Sequence, residues 1–329
     1  MTEEIYLMKG NEAIAHAAIR LGVDGYFGYP ITPQSEILET LMAEAPWKTT
    51  GMVVMQAESE TASINMVYGG AGCGKAVMTS SSSTGMSLMQ EGISFIAAAS
   101  LPCLLINVMR GGPGLGTIQP SQADYFQTVK GGGHGDYKMI NLAPASVQEM
   151  ADFVDLGFQL AFNYRTPATI IADGIIGQMM DKVKLPEYRR SLTEAEIREQ
   201  CPCATLGKPA SRKPNIITTL FLDSYQMEEV NLGLQEKYRQ IEANEIRYEE
   251  VNCDDDIDYL IVAFGSAARI SQKAIEVAKS EGMKVGILRP ITLWPFPYEA
   301  INKYAPKVKG ILTVEMNAGQ MVEDVRLAV

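Results

Sequence analysis

Residues 75–110 read KAVMTSSSSTGMSLMQEGISFIAAASLPCLLINVMR. An apolar strand at 75–79 runs into a Ser/Thr-rich bend, Thr79–Gly85. A helical stretch at 84–99 follows, then a second apolar strand at 103–109 that ends at Arg110. Strand, helix and strand in this order form the repeating unit of a parallel sheet whose faces are covered by helices. The unit extends both ways. Towards the N-terminus lie helical stretches at 58–70 and 11–21 and strands at 52–55 and 26–29. A further helix opens at Thr32-Pro33, read as an N-cap followed by Pro at the first helical position. Towards the C-terminus come a helix at 146–162 and a strand at 168–172. The fold class is therefore α/β with a mostly parallel sheet. Ligands in such sheets bind outside the carboxyl ends of the strands. Four segments there carry unusual chemistry: Tyr29–Pro33, Gln56–Glu60, Thr79–Gly85 and Arg110–Thr117.

A chain of 329 residues predicts about two domains. Residues 1–185 form the first α/β domain. Residues 186–256, rich in charge and proline, read as a linker or excursion. The alternation resumes in a smaller α/β domain over 257–329, whose last helix is still running at Val329 and reads as truncated.

Composition narrows the function. The formal charge of −11 argues against broad nucleic-acid binding. No run of about 18 apolar residues marks a membrane span, and the cytoplasm is the expected location. The five cysteines, Cys73, Cys103, Cys201, Cys203 and Cys253, contain no CxxC pair, so a disulfide framework, a structural zinc or a resident iron–sulfur cluster is unsupported. With only His16 and His134, a histidine-based triad or metal centre is nearly excluded.

Each motif carries a structural and a functional reading. Gly69–Lys75 has the GxxxxGK spacing of a phosphate loop, but Ala76 stands where Ser or Thr is needed. It also leads from a helix into a strand, the reverse of the required order. Close packing of a helix end explains it better. No GxGxxG follows the first strand, which disfavours a Rossmann-type oxidoreductase. Glu58 and Glu60 are either ordinary acids at a helix start or part of a site. Thr79–Gly85 either caps a helix or presents hydroxyls and N–H groups to a ligand. Arg110, before a glycine-rich loop, either forms a salt bridge or grips a carboxylate through two N–H groups. His134 in KGGGHGDY (130–137) reads as a loop residue.

Taken together, YPITP (29–33), AESETASINMVYGGAGCGKAVMTSSSSTGMSLMQEG (57–92), RGGPGLGTIQPSQADYFQ (110–127) and KGGGHGDY (130–137) resemble the α subunit of the 2-oxoacid:ferredoxin oxidoreductases. The resemblance extends through ADGIIGQMM (172–180) and LRPITLWPFP (288–297), and it looks most like the branched-chain, 2-oxoisovalerate member. It implies a thiamine-diphosphate-enzyme pyrimidine-binding domain and a transketolase C-terminal-like second domain. It implies oxidative decarboxylation of a 2-oxoacid, with the acyl group passed to coenzyme A and electrons to ferredoxin. Glu60 matches the acid that bonds the pyrimidine N1′, where a carboxyl favours the imino tautomer whose nitrogen takes the C2 proton. Thr32 and Arg110 match the residues that hold the substrate carboxylate. Pro30, Ser82 and Ser83 match positions lining the cofactor, although the usual small-Gly-Pro-Gly turn reads Ser82-Ser83-Thr84-Gly85 here. The Mg²⁺–diphosphate motif, GDG with an Asn about 25–30 residues on, is absent, with Asp173-Gly174 the nearest approach. No metal ligand is therefore assigned to this chain. The resemblance thus implies a heteromer: a thiamine-diphosphate-binding β subunit with Mg²⁺, a γ subunit, and a ferredoxin-like subunit with the iron–sulfur clusters. An α subunit acting on 2-oxoglutarate or another 2-oxoacid, or a non-catalytic α/β scaffolding subunit, is the alternative.

Overall fold

Seven strands build the main sheet of the computed structural model, which describes residues 4–208, 210–254 and 256–329. The chain begins with β1 (Ile5–Lys9), α1 (Gly10–Arg20), β2 (Gly25–Gly28) and α2 (Ser35–Glu44). It continues through β3 (Val53–Gln56), α3 (Glu60–Gly72), β4 (Val77–Ser81), α4 (Thr84–Ala98) and β5 (Cys103–Met109). Then come α5 (Tyr125–Val129), β6 (Ile140–Leu142), α6 (Val147–Tyr164), β7 (Pro167–Asp173), α7 (Gly174–Gln178) and β8 (Met180–Lys184). Helices α8 (Glu194–Gln200) and α9 (Ser224–Asn244) lead to β9 (Tyr248–Val251), β10 (Tyr259–Ala263), α10 (Gly265–Ser280) and β11 (Val285–Pro290). Last are β12 (Thr292–Trp294), α11 (Tyr298–Asn302), β13 (Gly310–Val314) and α12 (Met321–Leu327).

The main sheet has the order β12-β6-β7-β5-β4-β2-β3 and is parallel except for the β12–β6 pair. Its central strands β5 and β7 are buried along their whole length, as an apolar strand covered on both faces must be. From β2 the chain steps outward to β3, then returns to β4 on the other side of β2. The crevice between the carboxyl ends of β2 and β4 is therefore the topological switch point, where open α/β sheets bind ligands.

The glycine run at 69–72 is the last turn of α3, and Gly74 turns the chain at φ +74° into β4. A Cβ at Gly70 would lie 2.8 Å from Val77 Cγ1, so small residues are what let the helix end approach the strand. Helix α2 starts later than Thr32-Pro33 suggests. Its N-cap is Gln34, and the Pro33 carbonyl instead accepts from Asn11 Nδ2 at 2.7 Å and Gln178 Nε2 at 2.9 Å.

A second sheet, β13-β10-β11-β9, is parallel except for the β11–β9 pair. Residues 186–256 take part in both packing layers. Strand β9 edges the second sheet, and α9 sends Leu234, Tyr238 and Ile241 into the main core. Tyr238 meets Trp294 edge-on at 5.7 Å. Arg289, 5% exposed, pairs with Glu149 of α6 at 2.7 Å and with Glu249 of β9 at 2.9 Å. No helix among the described residues is long and apolar enough to cross a membrane.

Candidate cofactor and substrate site at the switch point

Glu60 is placed by its own helix. The Ser59 hydroxyl accepts the Ala62 N–H at 3.1 Å and fixes the start of α3, so Glu60 is the first helical residue. It is 6% exposed, whereas Glu58, two residues earlier, is exposed. The Glu60 carboxylate makes no hydrogen bond or ion pair with any described residue. A Cβ at Gly85 would lie 2.6 Å from Glu60 Oε1 and 2.0 Å from Ser81 Oγ. Gly85 therefore lets the start of α4 close over both groups.

Strand β4 is buried yet polar at Thr79, Ser80 and Ser81. Ser80 is satisfied, 2.6 Å from the Tyr26 hydroxyl and donating to Gln34 Oε1 at 2.5 Å. Thr79, Ser81 and Ser82 are not: their buried hydroxyls have no partner among the described residues. Buried polar groups are almost always paired, so these hydroxyls, with Ser81 next to an unpaired carboxylate, mark space suited to a polar ligand. An aminopyrimidine fits it, having a ring nitrogen for the carboxyl group and further polar atoms for the hydroxyls.

Arg110 follows β5 and is 7% exposed. Its Nη1 donates to the Thr32 carbonyl at 2.9 Å, and its Nη2 donates to the Leu115 carbonyl at 3.1 Å and Thr84 Oγ1 at 3.3 Å. Its Nε is buried without a partner among the described residues. Arg110 thus joins the loops after β2, β4 and β5, and the fork that could grip a carboxylate is only partly free. Thr32, whose carbonyl Arg110 holds, and Pro30 in the same loop are exposed. The loop over Arg110 is closed by Thr117 N–H donating to the Gly111 carbonyl at 2.8 Å. Gly116 turns it at φ +66°, where a Cβ would strike the Gly111 carbonyl at 1.8 Å.

Ser83 differs from Ser82. Its hydroxyl is engaged, 2.7 Å from Asp124 Oδ2 and accepting the Arg110 N–H at 3.0 Å. The structure therefore brings Glu60, Thr32, Arg110, Pro30, Ser82 and Ser83 to one edge and gives Ser83 a bracing contact. It adds Ser81, Asn107 and Asp124. The period-two alternation of a buried strand was the signal for Ser81; nothing local signals the other two.

Asp173 has no free oxygen. Oδ1 caps α7 by accepting from Ile175 N at 3.1 Å and Ile176 N at 3.2 Å. Oδ2 accepts from Ser266 N at 2.9 Å and Gln122 Nε2 at 3.2 Å. It holds the second sheet onto the first. His134 is a loop anchor whose carbonyl accepts from Ser94 Oγ at 2.8 Å, its ring edge-on to Phe95.

Residues 16–252 match the family described as pyruvate flavodoxin/ferredoxin oxidoreductase, thiamine diphosphate-binding, and residues 257–329 match pyruvate:ferredoxin oxidoreductase core domain II. The chain is 49% identical to the ketoisovalerate oxidoreductase subunit VorB of Methanothermobacter marburgensis, over 98% of this chain and 89% of that one. It is 36% identical to the 2-oxoglutarate synthase subunit KorA of Archaeoglobus fulgidus, over 98% of this chain and 91% of that one. Among solved structures it resembles 2-oxoglutarate:ferredoxin oxidoreductase from Magnetococcus marinus, with a TM-score of 0.86 and 26% identity. That match covers 99% of this chain and 61% of that longer one. The chain belongs to the pyruvate flavodoxin/ferredoxin oxidoreductase family of thiamine-diphosphate-binding oxidoreductase subunits.

Proposed function

We propose that this chain supplies the pyrimidine half of a thiamine diphosphate site in a multi-subunit 2-oxoacid:ferredoxin oxidoreductase. The complex converts a branched-chain 2-oxoacid, 2-oxoisovalerate, with coenzyme A to an acyl-CoA, CO₂ and reduced ferredoxin. The observation that carries the reading is the buried Glu60 carboxylate, unpartnered among the described residues and packed with the equally unpartnered Ser81 hydroxyl under Gly85 at the switch point.

Thiamine diphosphate, when bound, supplies the acidic C2–H carbon that adds to the ketone and accepts the electrons released with CO₂. Glu60 would hold a proton at a ring nitrogen of the bound pyrimidine, and its burial would limit competition from water for that contact. Ser82 lines the pocket with Pro30, and Ser83 fixes the turn that closes it. The exposed Thr32 and the free Nε–H of Arg110 receive the substrate carboxylate. The Gly111–Thr117 loop contains Leu115 and no charge, which suits a branched apolar side chain better than a second carboxylate. The higher identity to the ketoisovalerate subunit than to the 2-oxoglutarate subunit supports the same choice.

The saturated Asp173 supports placing Mg²⁺ and the diphosphate on a β subunit. A γ subunit and a ferredoxin-like subunit with iron–sulfur clusters complete the complex, in the cytoplasm. The test is kcat/KM of the purified complex for 2-oxoisovalerate and for 2-oxoglutarate, with the isolated chain assayed alongside. A preference for 2-oxoisovalerate and an inactive isolated chain are expected. Preference for 2-oxoglutarate overturns the branched-chain assignment, and turnover by the isolated chain overturns the divided site.

A further inference from the structure

Behind Arg110 lies another mostly buried carboxylate, Asp124, for which the reading above has no use. Its Oδ2 accepts from Asn107 Nδ2 at 2.9 Å and lies 2.7 Å from Ser83 Oγ. Asn107, fully buried in β5, accepts the Ser83 N–H through Oδ1 at 3.1 Å. Ser83 Oγ accepts the Arg110 N–H at 3.0 Å and is 3.1 Å from the Arg110 carbonyl. Ser83 sits at φ +32°, a conformation that a serine holds only when its surroundings impose it. The next residue, Thr84, accepts from the Arg110 guanidinium. One clamp therefore fixes both the main chain of Arg110 and one partner of its side chain.

We propose that Asp124 is a positioning residue that acts through Ser83 to aim Arg110 at the carboxylate of the 2-oxoacid. The proposal rests on the reading of Arg110 as a substrate-binding group. The hydrogen inventory supports it. Ser83 has one hydroxyl hydrogen and two acceptors within reach, the Arg110 carbonyl and Asp124. A protonated Asp124 donates to Ser83 and frees that hydrogen for the carbonyl; an ionised one takes it. Ser83 is held in either state, so the contact needs the carboxyl's shape more than its charge. Burial pushes the Asp124 carboxyl up, against the opposing hydrogen bonds from Ser83 and Asn107.

The test uses the assembled complex and two readouts: KM for the 2-oxoacid, and C2–H exchange of bound thiamine diphosphate by NMR. Losing one such hydrogen bond predicts a KM about tenfold higher in Asp124→Ala, with exchange unchanged because Glu60 is untouched. Asp124→Asn, which keeps an acceptor in place, recovers KM to within about threefold. Ser83→Ala gives the same rise as Asp124→Ala, and the double variant Ser83→Ala/Asp124→Ala adds nothing further, the signature of action through Ser83. Arg110→Lys is run beside them. If it raises KM and Asp124→Ala does not, the positioning role is wrong. The role also fails if exchange slows in step with the rise in KM, which marks general loosening. If Arg110→Lys leaves KM unchanged, the reading of Arg110 falls and takes this inference with it.

Discussion

Glu60 opens the helix after β3 and Asp173 closes β7; both carboxylates are buried at the same edge of the seven-stranded sheet. Asp173 receives four hydrogen bonds from three parts of the chain, and Glu60 receives none from the described residues. A third acid, Asp324, follows the Asp173 pattern: it accepts from Tyr125 at 2.7 Å and is 2.5 Å from both Lys130 Nζ and the Tyr298 hydroxyl. The same burial means opposite things in the two cases. Where the protein supplies every donor, the acid fastens elements together. Where it supplies none, the desolvation cost is met only when a ligand arrives.

The sharpest way to break this comparison is at Glu60. Glu60→Gln in the complex should slow cofactor C2–H exchange by about 10²–10⁴-fold, as expected for a positioned acid–base group, while leaving the thermal midpoint of the chain nearly unchanged. Exchange at the normal rate would move the role away from Glu60.

Asp173→Ala should do the reverse. Losing a helix cap and stranding two buried donors predicts about 2–4 kcal/mol of lost stability, read as a lower urea midpoint. A midpoint equal to wild type would mean that the four bonds are ornamental.

Arg110 is intermediate between the two acids in saturation, with its Nη groups engaged and its Nε unpartnered among the described residues. Arg110→Lys should lower kcat/KM by about one to two decades for every 2-oxoacid tested, since lysine cannot hold the Thr32 and Leu115 carbonyls and still present a separate N–H to the carboxylate. Discrimination between 2-oxoacids should barely change, because the shared carboxylate carries no side-chain information.

The smallest effect is expected at Glu58, two residues from Glu60 but exposed. Glu58→Gln should stay within about 0.5 kcal/mol in stability, as surface substitutions do. Its C2–H exchange should match wild type; a large drop would show that proximity in sequence, not burial, picked out Glu60.

The alternation of strands and helices was readable in the residues because each element carries its own periodicity. Strand β5 spans Cys103–Met109 as its apolar run suggests, and α1 covers Gly10–Arg20, within one residue of the helical stretch read at 11–21. The elements that escaped are short or polar: β1 with its antiparallel partner β8, the three-residue strands β6 and β12, and β9 at an edge. Helix α9 escaped as a core element because only Leu234, Tyr238 and Ile241 of its 21 residues are buried. These segments hold their conformations through partners more than a hundred residues away in several cases, as with Ile5 opposite Lys184, and no local pattern encodes such a partner.

The site divides along the same line. The sequence by itself placed Glu60 at a helix start, Arg110 at a strand end and hydroxyls between them, because helix capping and strand termination are local properties. Only the tertiary structure decided which of these groups are already satisfied. It filled the oxygens of Asp173, engaged the hydroxyl of Ser83 with Asp124, and left Glu60, Ser81 and Ser82 open. Hydrogen-bond saturation depends on which remote donors arrive at a buried atom, and that is fixed by how the strands cross and the helices close, not by the residues on either side.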